Sequence, residues 1–225
     1  MNRLRSDDVF YTCLPLYHAT GVVGGVGRAL VYGNTVILRK KFSASAFWRD
    51  CALHKVTVAQ HIGEICRYLL RQGYRPEERQ HNVRAMIGTG LRAEIWPEFR
   101  SRFGIKQIHE IYGSTDGNCT MINIDGRVGA VGFVPVLLQR MNPFGLIRVD
   151  PVTCEPLRNP KSGLAIRCEP GEAGELVGTI FENDVVREFP GYAGNNRGIE
   201  NKKKILHNVF RQGDSYFRTG GRVRI

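Results

Sequence analysis

The stretch Tyr112-Gly113-Ser114-Thr115-Asp116-Gly117-Asn118 holds the densest set of groups able to handle a phosphorylated ligand. Its glycines let backbone N–H groups approach a ligand closely. The Thr115 hydroxyl can donate to a phosphate oxygen, and Asp116 is a hard oxygen ligand suited to Mg²⁺. Tyr112 offers a flat face for a base. A second loop, Gly88-Thr89-Gly90-Leu91-Arg92, occupies the same kind of position one βα unit earlier. Two glycine loops at neighbouring strand ends could wall one pocket. In Leu14-Pro15-Leu16-Tyr17-His18, a histidine at a strand end stands beside an aromatic and could line such a pocket. Spacing alone leaves bland alternatives open: an ordinary turn for each glycine loop and a satisfied core or turn residue for His18. The run Gly213 to Gly221 also reads as a turn. Several familiar sites are excluded. There is no GxSxG elbow, no GxxxxGK[ST] phosphate loop and no GxGxxG fingerprint. His109-Glu110 is followed by Ile111, Tyr112 and Gly113, so HExxH is absent.

The elements that must position these loops alternate in the first half. Phe10 to Leu14 is a short apolar run ended by Pro15, and Asn34 to Leu38 after Gly33 reads as a buried strand. Ser43 is a candidate N-cap for a helix with Phe47 and Cys51 on one face. Val56 to Ala59 reads as a strand. Ile62, Ile65, Cys66, Leu69 and Leu70 then fall at helical spacing, with a stop at Gly73. Asn82 to Ile87 is strand-like. The next helix carries Ile95, Phe99 and Phe103 on one stripe, with Pro97 in its first turn and Gly104 past its end. Lys106 to Tyr112 is another strand. This rhythm predicts a parallel α/β sheet with ligand loops beyond the carboxyl ends of its strands. Near Arg127 the character changes to short apolar runs separated by proline- and glycine-rich turns, which predicts an antiparallel β-rich region.

Composition narrows the classes. The 225 residues are 42% hydrophobic and 24% charged, which excludes disordered and collagen-like chains. No apolar run approaches the roughly 20 residues of a spanning helix. The best candidate, Gly21 to Gly33, is short, glycine-rich and interrupted by Arg28. No secretory signal follows Met1, so on its own the sequence reads as soluble and intracellular. Thirty-two basic against 21 acidic residues give +11, a balance that suits a polyanionic partner or simply a solvated basic surface. The charge is dispersed apart from Arg39-Lys40-Lys41 and Lys202-Lys203-Lys204. Six cysteines without CxxC or zinc spacing read as reduced thiols.

Five segments in this order resemble the central part of a fatty acid transport protein, or very long-chain acyl-CoA synthetase, of the adenylate-forming superfamily. They are Leu14-Pro15-Leu16-Tyr17-His18, Arg39-Lys40-Lys41-Phe42-Ser43-Ala44-Ser45, Gln60 to Leu70, Gly90-Leu91-Arg92 and Tyr112 to Asn118. The resemblance runs from Asp7 to about Gly220. It implies a partial adenylate-forming N-terminal domain, with an α/β adenylate-binding subdomain at 1–126 and a β-rich, barrel-like subdomain at 127–225. It implies a ligase that converts a long-chain or very long-chain fatty acid, through acyl-AMP, to acyl-CoA, using ATP, Mg²⁺ and CoA. Thr115 and Asp116 would be the catalytic pair, with Asp116 on the metal. Gly88, Thr89, Gly90, Tyr112, Gly113 and Ser114 would hold the nucleotide, and His18 would line the substrate site. The resemblance also implies membrane association with a cytosolic catalytic face, at the endoplasmic reticulum or plasma membrane, and allows a homo-oligomer.

Departures from the family pattern temper this. Asp116 stands where the family usually has Glu. Phe217-Arg218-Thr219-Gly220-Gly221 stands where the family run ends in an Asp that grips ribose. The phosphate loop expected upstream, the lysine-bearing C-terminal domain and the N-terminal membrane segment are missing from the sequence. The chain is therefore expected to be a piece of such an enzyme with negligible ligase activity alone. The alternative is a non-catalytic fragment that binds nucleotide or lipid. A nucleic-acid-binding domain is disfavoured, because no recognition motif is present and the basic residues form no stripe with aromatics.

Overall fold

Short apolar strands rich in Val, Ile, Phe and Tyr make the first sheet of the computed structural model, which describes residues 4–134, 142–184, 187–194 and 197–224. The strands are β1 (Val9–Thr12), β2 (Thr35–Leu38), β3 (Val58–Ile62), β4 (Ala85–Thr89), β5 (Gln107–Tyr112) and β6 (Met121–Asn123). They lie in the order β2-β1-β3-β4-β5-β6. All pairs are parallel except β5–β6, which is antiparallel. The α/β reading of the first half is thus met, and the strands expected at Asn82 to Ile87 and Lys106 to Tyr112 are direct neighbours.

Side chains alternate across this sheet, as a period of two requires. Tyr11, Ala59, Met86 and Ile108 join one buried cluster with Phe47, Trp48 and Cys51 of α3 (Phe47–Leu53). Ile65, Cys66 and Leu69 of α4 (Gly63–Leu70), and Trp96, Phe99 and Phe103 of α5 (Trp96–Phe103), complete that cluster. Phe10, Val58 and Ala85 point the other way into a smaller cluster. On that side lies the helical segment made of α1 (Ala19–Gly21), a π-helical turn (Val22–Val26) and α2 (Gly27–Tyr32), whose Arg28 guanidinium sits 4.8 Å over the Phe10 ring.

Helix ends follow the punctuation in the sequence, with one exception. Gly104 closes α5 at φ 67° and Gly33 closes α2 at φ 70°, both left-handed, where glycine carries no Cβ penalty. Ser43 does not cap α3 with its side chain. Its carbonyl accepts from Ala46 N (3.2 Å) and Phe47 N (3.0 Å), while its hydroxyl meets Ser45 Oγ. β2 is also not the buried strand expected. Among the described residues it pairs only with β1, and Thr35 and Leu38 are exposed.

Charges inside this unit are paired. Asp8 is 2% exposed and accepts from Arg84 at 2.6 and 2.8 Å and from the Thr57 hydroxyl at 2.7 Å. Arg102 grips Glu78 through two nitrogens and also donates to the Leu70 and Gln72 carbonyls.

The residues fall into two compact units. One comprises the chain up to Tyr112 with Met121–Phe133, and the other comprises Gly113–Thr120 with the chain from Val134 onward. The second unit carries an antiparallel sheet in the order β7-β8-β10-β9, as the turn chemistry predicted. Its strands are β7 (Phe144–Ile147), β8 (Ala173–Thr179), β9 (Ile205–His207) and β10 (Ser215–Arg224), and α6 (Arg197–Lys204) runs directly into β9. Ile147, Val177, Val209 and Tyr216 fill its core. The turn expected near Gly213 is closed by the Asp214 carboxylate, which accepts from the N–H groups of Val209, Phe210 and Arg211 at 2.6–2.9 Å.

Candidate adenylate-binding residues

In the first unit the candidate residues gather at the carboxyl ends of β4 and β5. Gly88 and Thr89 end β4, Gly90 follows at φ 79°, and Tyr112 ends β5. Gly88 pairs in register with Glu110, two residues before Tyr112. The structure therefore brings the Gly88–Gly90 loop and Tyr112 to one edge of the sheet, on adjacent parallel strands. This is where ligands of open α/β sheets bind. Gly88 is buried, Thr89 and Gly90 are exposed, and Tyr112 is half-buried.

His18 follows β1 and is exposed. Its Nδ1 accepts from Thr20 N at 3.2 Å and so caps the first helical turn.

Beyond Tyr112 the chain enters the second unit. Gly113, Ser114, Thr115 and Asp116 are all exposed, and Gly117 N donates to Ser114 O at 3.1 Å to close a tight turn. The Asp116 carboxylate accepts from the Tyr192 hydroxyl and lies 3.9 Å from Lys204 Nζ. The Tyr192 hydrogen bond, then Ser114, the loop's own backbone and Lys204 hold this carboxyl below the usual carboxylate range. The same bond pushes the Tyr192 phenol up to about 12. Lys204 Nζ also sits 5.3 Å over the Phe217 ring. Asn118 anchors the far end of the loop by donating to Thr179 O (2.8 Å) and Arg187 O (3.0 Å).

Asp116 is thus an ionised oxygen donor within reach of solvent, its side chain 34% exposed. Among the described residues no group of three or more His, Cys, Asp or Glu converges on one point. A lone carboxylate still suits Mg²⁺, which keeps several waters and takes one or two carboxylates together with substrate phosphates.

Gly221 lies in β10, where the register shifts between Arg218 and Arg222. Its N–H donates to Thr219 Oγ1 at 3.1 Å, and Arg222, Val223 and Arg224 pair with residues 173–175.

Sequence reasoning missed two residues. Glu110 is 2% exposed, and His61 at the end of β3 is fully buried. His61 Nε2 lies 3.2 Å from Glu110 Oε1, and Leu91 N donates to Glu110 Oε2 at 3.0 Å. The available signal was a charged residue on the same strand face as Ile108 and Tyr112.

A model of AMP-binding enzymes matches residues 1–177. The chain belongs to the AMP-binding enzyme family. Within curated proteins it is 52% identical to long-chain fatty acid transport protein 1 of Rattus norvegicus over 96% of its length. It is 50% identical to the Homo sapiens protein of that name over 97%. It spans about a third of the length of these relatives, 33% of each. The fold is shared with MatB from Rhodopseudomonas palustris, solved with ATP bound (TM-score 0.70, 21% identity, 98% of this chain and 38% of that one). It is shared too with o-succinylbenzoate coenzyme A synthetase from Bacillus subtilis, solved with ATP and magnesium ion (TM-score 0.63, 20% identity, 99% of this chain and 40% of that one). Among the described residues no helix is long and apolar enough to cross a membrane.

Proposed function

We propose that this chain forms the adenylate-binding centre of an ATP-dependent fatty acid–CoA ligase of the fatty acid transport type. The enzyme would activate a long-chain or very long-chain fatty acid, through acyl-AMP, to acyl-CoA. The observation that carries the reading is the 50–52% identity to long-chain fatty acid transport proteins over nearly the whole chain. It is supported by the phosphate-suited loop that follows β5.

The chemistry asks for charge control. A fatty acid carboxylate and the α-phosphate of ATP are both anions, so oriented donors and cations lower the barrier more than any covalent help. In this reading the Tyr112 ring packs on the adenine, and Gly88, Thr89 and Gly90 border the base and the acyl group. The exposed N–H groups of Gly113 and Ser114 and the hydroxyl of Thr115 point donors at phosphate. Asp116 holds the Mg²⁺ that travels with ATP, and that ion supplies neutralisation of phosphate charge. His18, exposed after β1, lines the substrate site. Pyrophosphate leaves as acyl-AMP forms; CoA then takes the acyl group as thioester and AMP leaves. Residues 1–126 and 127–225 would act as the two subdomains of this centre. Membrane association, a cytosolic face at the endoplasmic reticulum or plasma membrane, and a homo-oligomer belong to the same reading.

The test is calorimetric titration of ATP with magnesium into the 225-residue chain and its Thr115→Ala variant. A charge-assisted hydrogen bond is worth about 1.5–3 kcal/mol, so the variant should bind about ten- to a hundredfold more weakly. No binding heat from the wild-type chain would sink the reading for this segment.

A further inference from the structure

His61, Gly88 and Glu110 occupy one row across three parallel strands. The register pairs His61 with Gly88 and Gly88 with Glu110. Each strand step is roughly 4.8 Å, so the outer two side chains would ordinarily be separated by the side chain between them. Gly88 has none. A Cβ there would lie 2.8 Å from His61 Cγ and 1.9 Å from the His61 carbonyl oxygen. The imidazole therefore lies across the Gly88 backbone and reaches the Glu110 carboxylate. In that carboxylate Oε1 faces His61 Nε2, and both oxygens are within reach of Leu91 N, at 3.0 and 3.3 Å. Leu91 is the first residue after the left-handed Gly90. The loop is pinned on its other side by Gly63, where a Cβ would lie 1.8 Å from Gly90 O.

The geometry points to Glu110 as a positioning residue. From β5 it fixes the Gly88–Leu91 loop against the strand that ends in Tyr112, and His61 braces its carboxylate across Gly88. This rests on the nucleotide-binding reading for its purpose, since the loop and Tyr112 are the parts that reading sets around the base. It reassigns Gly88. Its lack of a side chain serves the close approach of the His61 carbonyl and of the imidazole beside it, and ligand approach is left to Thr89 and Gly90. A carboxyl group suits this task because its two oxygens can face the imidazole and the Leu91 N–H together.

Amide hydrogen exchange in the 225-residue chain reads the positioning directly. In Glu110→Leu the Leu91 amide loses its acceptor. It should exchange about ten- to a hundredfold faster than in wild type, while the Met86 and Ile108 amides hold their protection. Glu110→Gln keeps an acceptor for Leu91 and should restore protection to within about threefold. If Glu110→Leu does not fold, His61→Leu carries the test, with a rise of about three- to tenfold confined to Leu91. Leu91 exchange within twofold of wild type in whichever of these folds would overturn the assignment. So would a Glu110→Gln chain as unprotected as Glu110→Leu. AMP titration is the second arm. The folded variant with the exposed Leu91 amide should bind AMP about tenfold more weakly, and Glu110→Gln should stay within threefold. Unchanged AMP affinity with a loosened loop would remove the link to nucleotide. A wild-type chain that binds no AMP would defeat the functional reading and leave the exchange result to decide the positioning.

Discussion

Glu110 and Asp116 stand six positions apart in the chain, yet their surroundings are opposite. Glu110, in the first unit, is 2% exposed and spends its oxygens on a backbone N–H and an imidazole. Asp116, in the second unit, has a side chain about a third exposed and is held by a phenol and a lysine that are themselves near solvent. A carboxylate whose partners are all protein groups, buried and in register, can shape a loop but is closed to a ligand from solvent. One whose partners lie near solvent can exchange them for other groups. Burial thus separates two groups of the same chemistry, one enclosed by protein partners and one open to solvent. Desolvation makes an unpaired buried carboxylate prohibitive and leaves an exposed one inexpensive.

That contrast can be broken by mutation, and the largest effect belongs to the core beneath the dry carboxylate. Phe99 of α5 is fully buried between Trp48 and Phe103, with ring centroids at 6.4 and 4.8 Å. Phe99→Ala should destabilise the first unit by about 3–5 kcal/mol, read by denaturant unfolding. A loss below about 1 kcal/mol would mean that this core is not packed as described.

Next in size is another buried carboxylate of the first unit, Asp8. Burial alone would raise its pKa, but the Arg5 N–H, the Thr57 hydroxyl and the Arg84 guanidinium outweigh it and hold it below the usual value. A folded-state pKa that is depressed adds stability above the unfolded value. That contribution is lost as pH falls through the folded value, that is, below about pH 4. Arg84→Met should cost about 3 kcal/mol near neutral pH by stranding the carboxylate. It should also flatten the fall in stability between pH 5 and the acid limit. Equal acid sensitivity in both proteins would show that Asp8 does not carry it.

The smallest effect on stability is expected at the wet carboxylate. Tyr192→Phe removes the hydroxyl that does most to depress the Asp116 pKa. Stability should stay within about 0.5 kcal/mol, as for surface substitutions generally. The Asp116 carboxyl should titrate at higher pH than in wild type, followed by its carboxyl ¹³C shift. An unmoved titration would remove Tyr192 as the partner that tunes this group.

Where local chemistry dictates structure, the sequence was readable. Pro97 and Gly104 bracket α5, and Ile65, Cys66 and Leu69 bury the face their spacing announces. The loop at Tyr112 to Asp116 was recognisable because glycine, hydroxyl and acid stand together there. Long-range register was not readable. His61 and Glu110 are 49 residues apart and meet only because β3, β4 and β5 align with a glycine in the middle strand. The segment Gly21 to Gly33 was read only as an apolar run too short to span a membrane. Its two consecutive glycines, 24 and 25, argue against a helix by propensity. Packing reverses that preference, because a Cβ at Gly24 would strike the Gln60 amide nitrogen at 2.4 Å and one at Gly25 would crowd Thr12 Cγ2 at 3.1 Å. The edge position of β2 was hidden for a similar reason. Nothing in Thr-Val-Ile-Leu says how many neighbours the strand will have.

That edge has a consequence for how the protein behaves in concentrated solution. An edge strand offers unpaired N–H and C=O groups as a template for another chain, and Leu38 adds an exposed apolar side chain to the invitation. The strand is only four residues long and is followed at once by Arg39, Lys40 and Lys41. A second molecule docking its own β2 alongside would bring two such basic triplets close together, and the repulsion grows as salt is removed. Basic residues directly after the strand would therefore oppose such pairing, although Arg39 already pairs with Asp50.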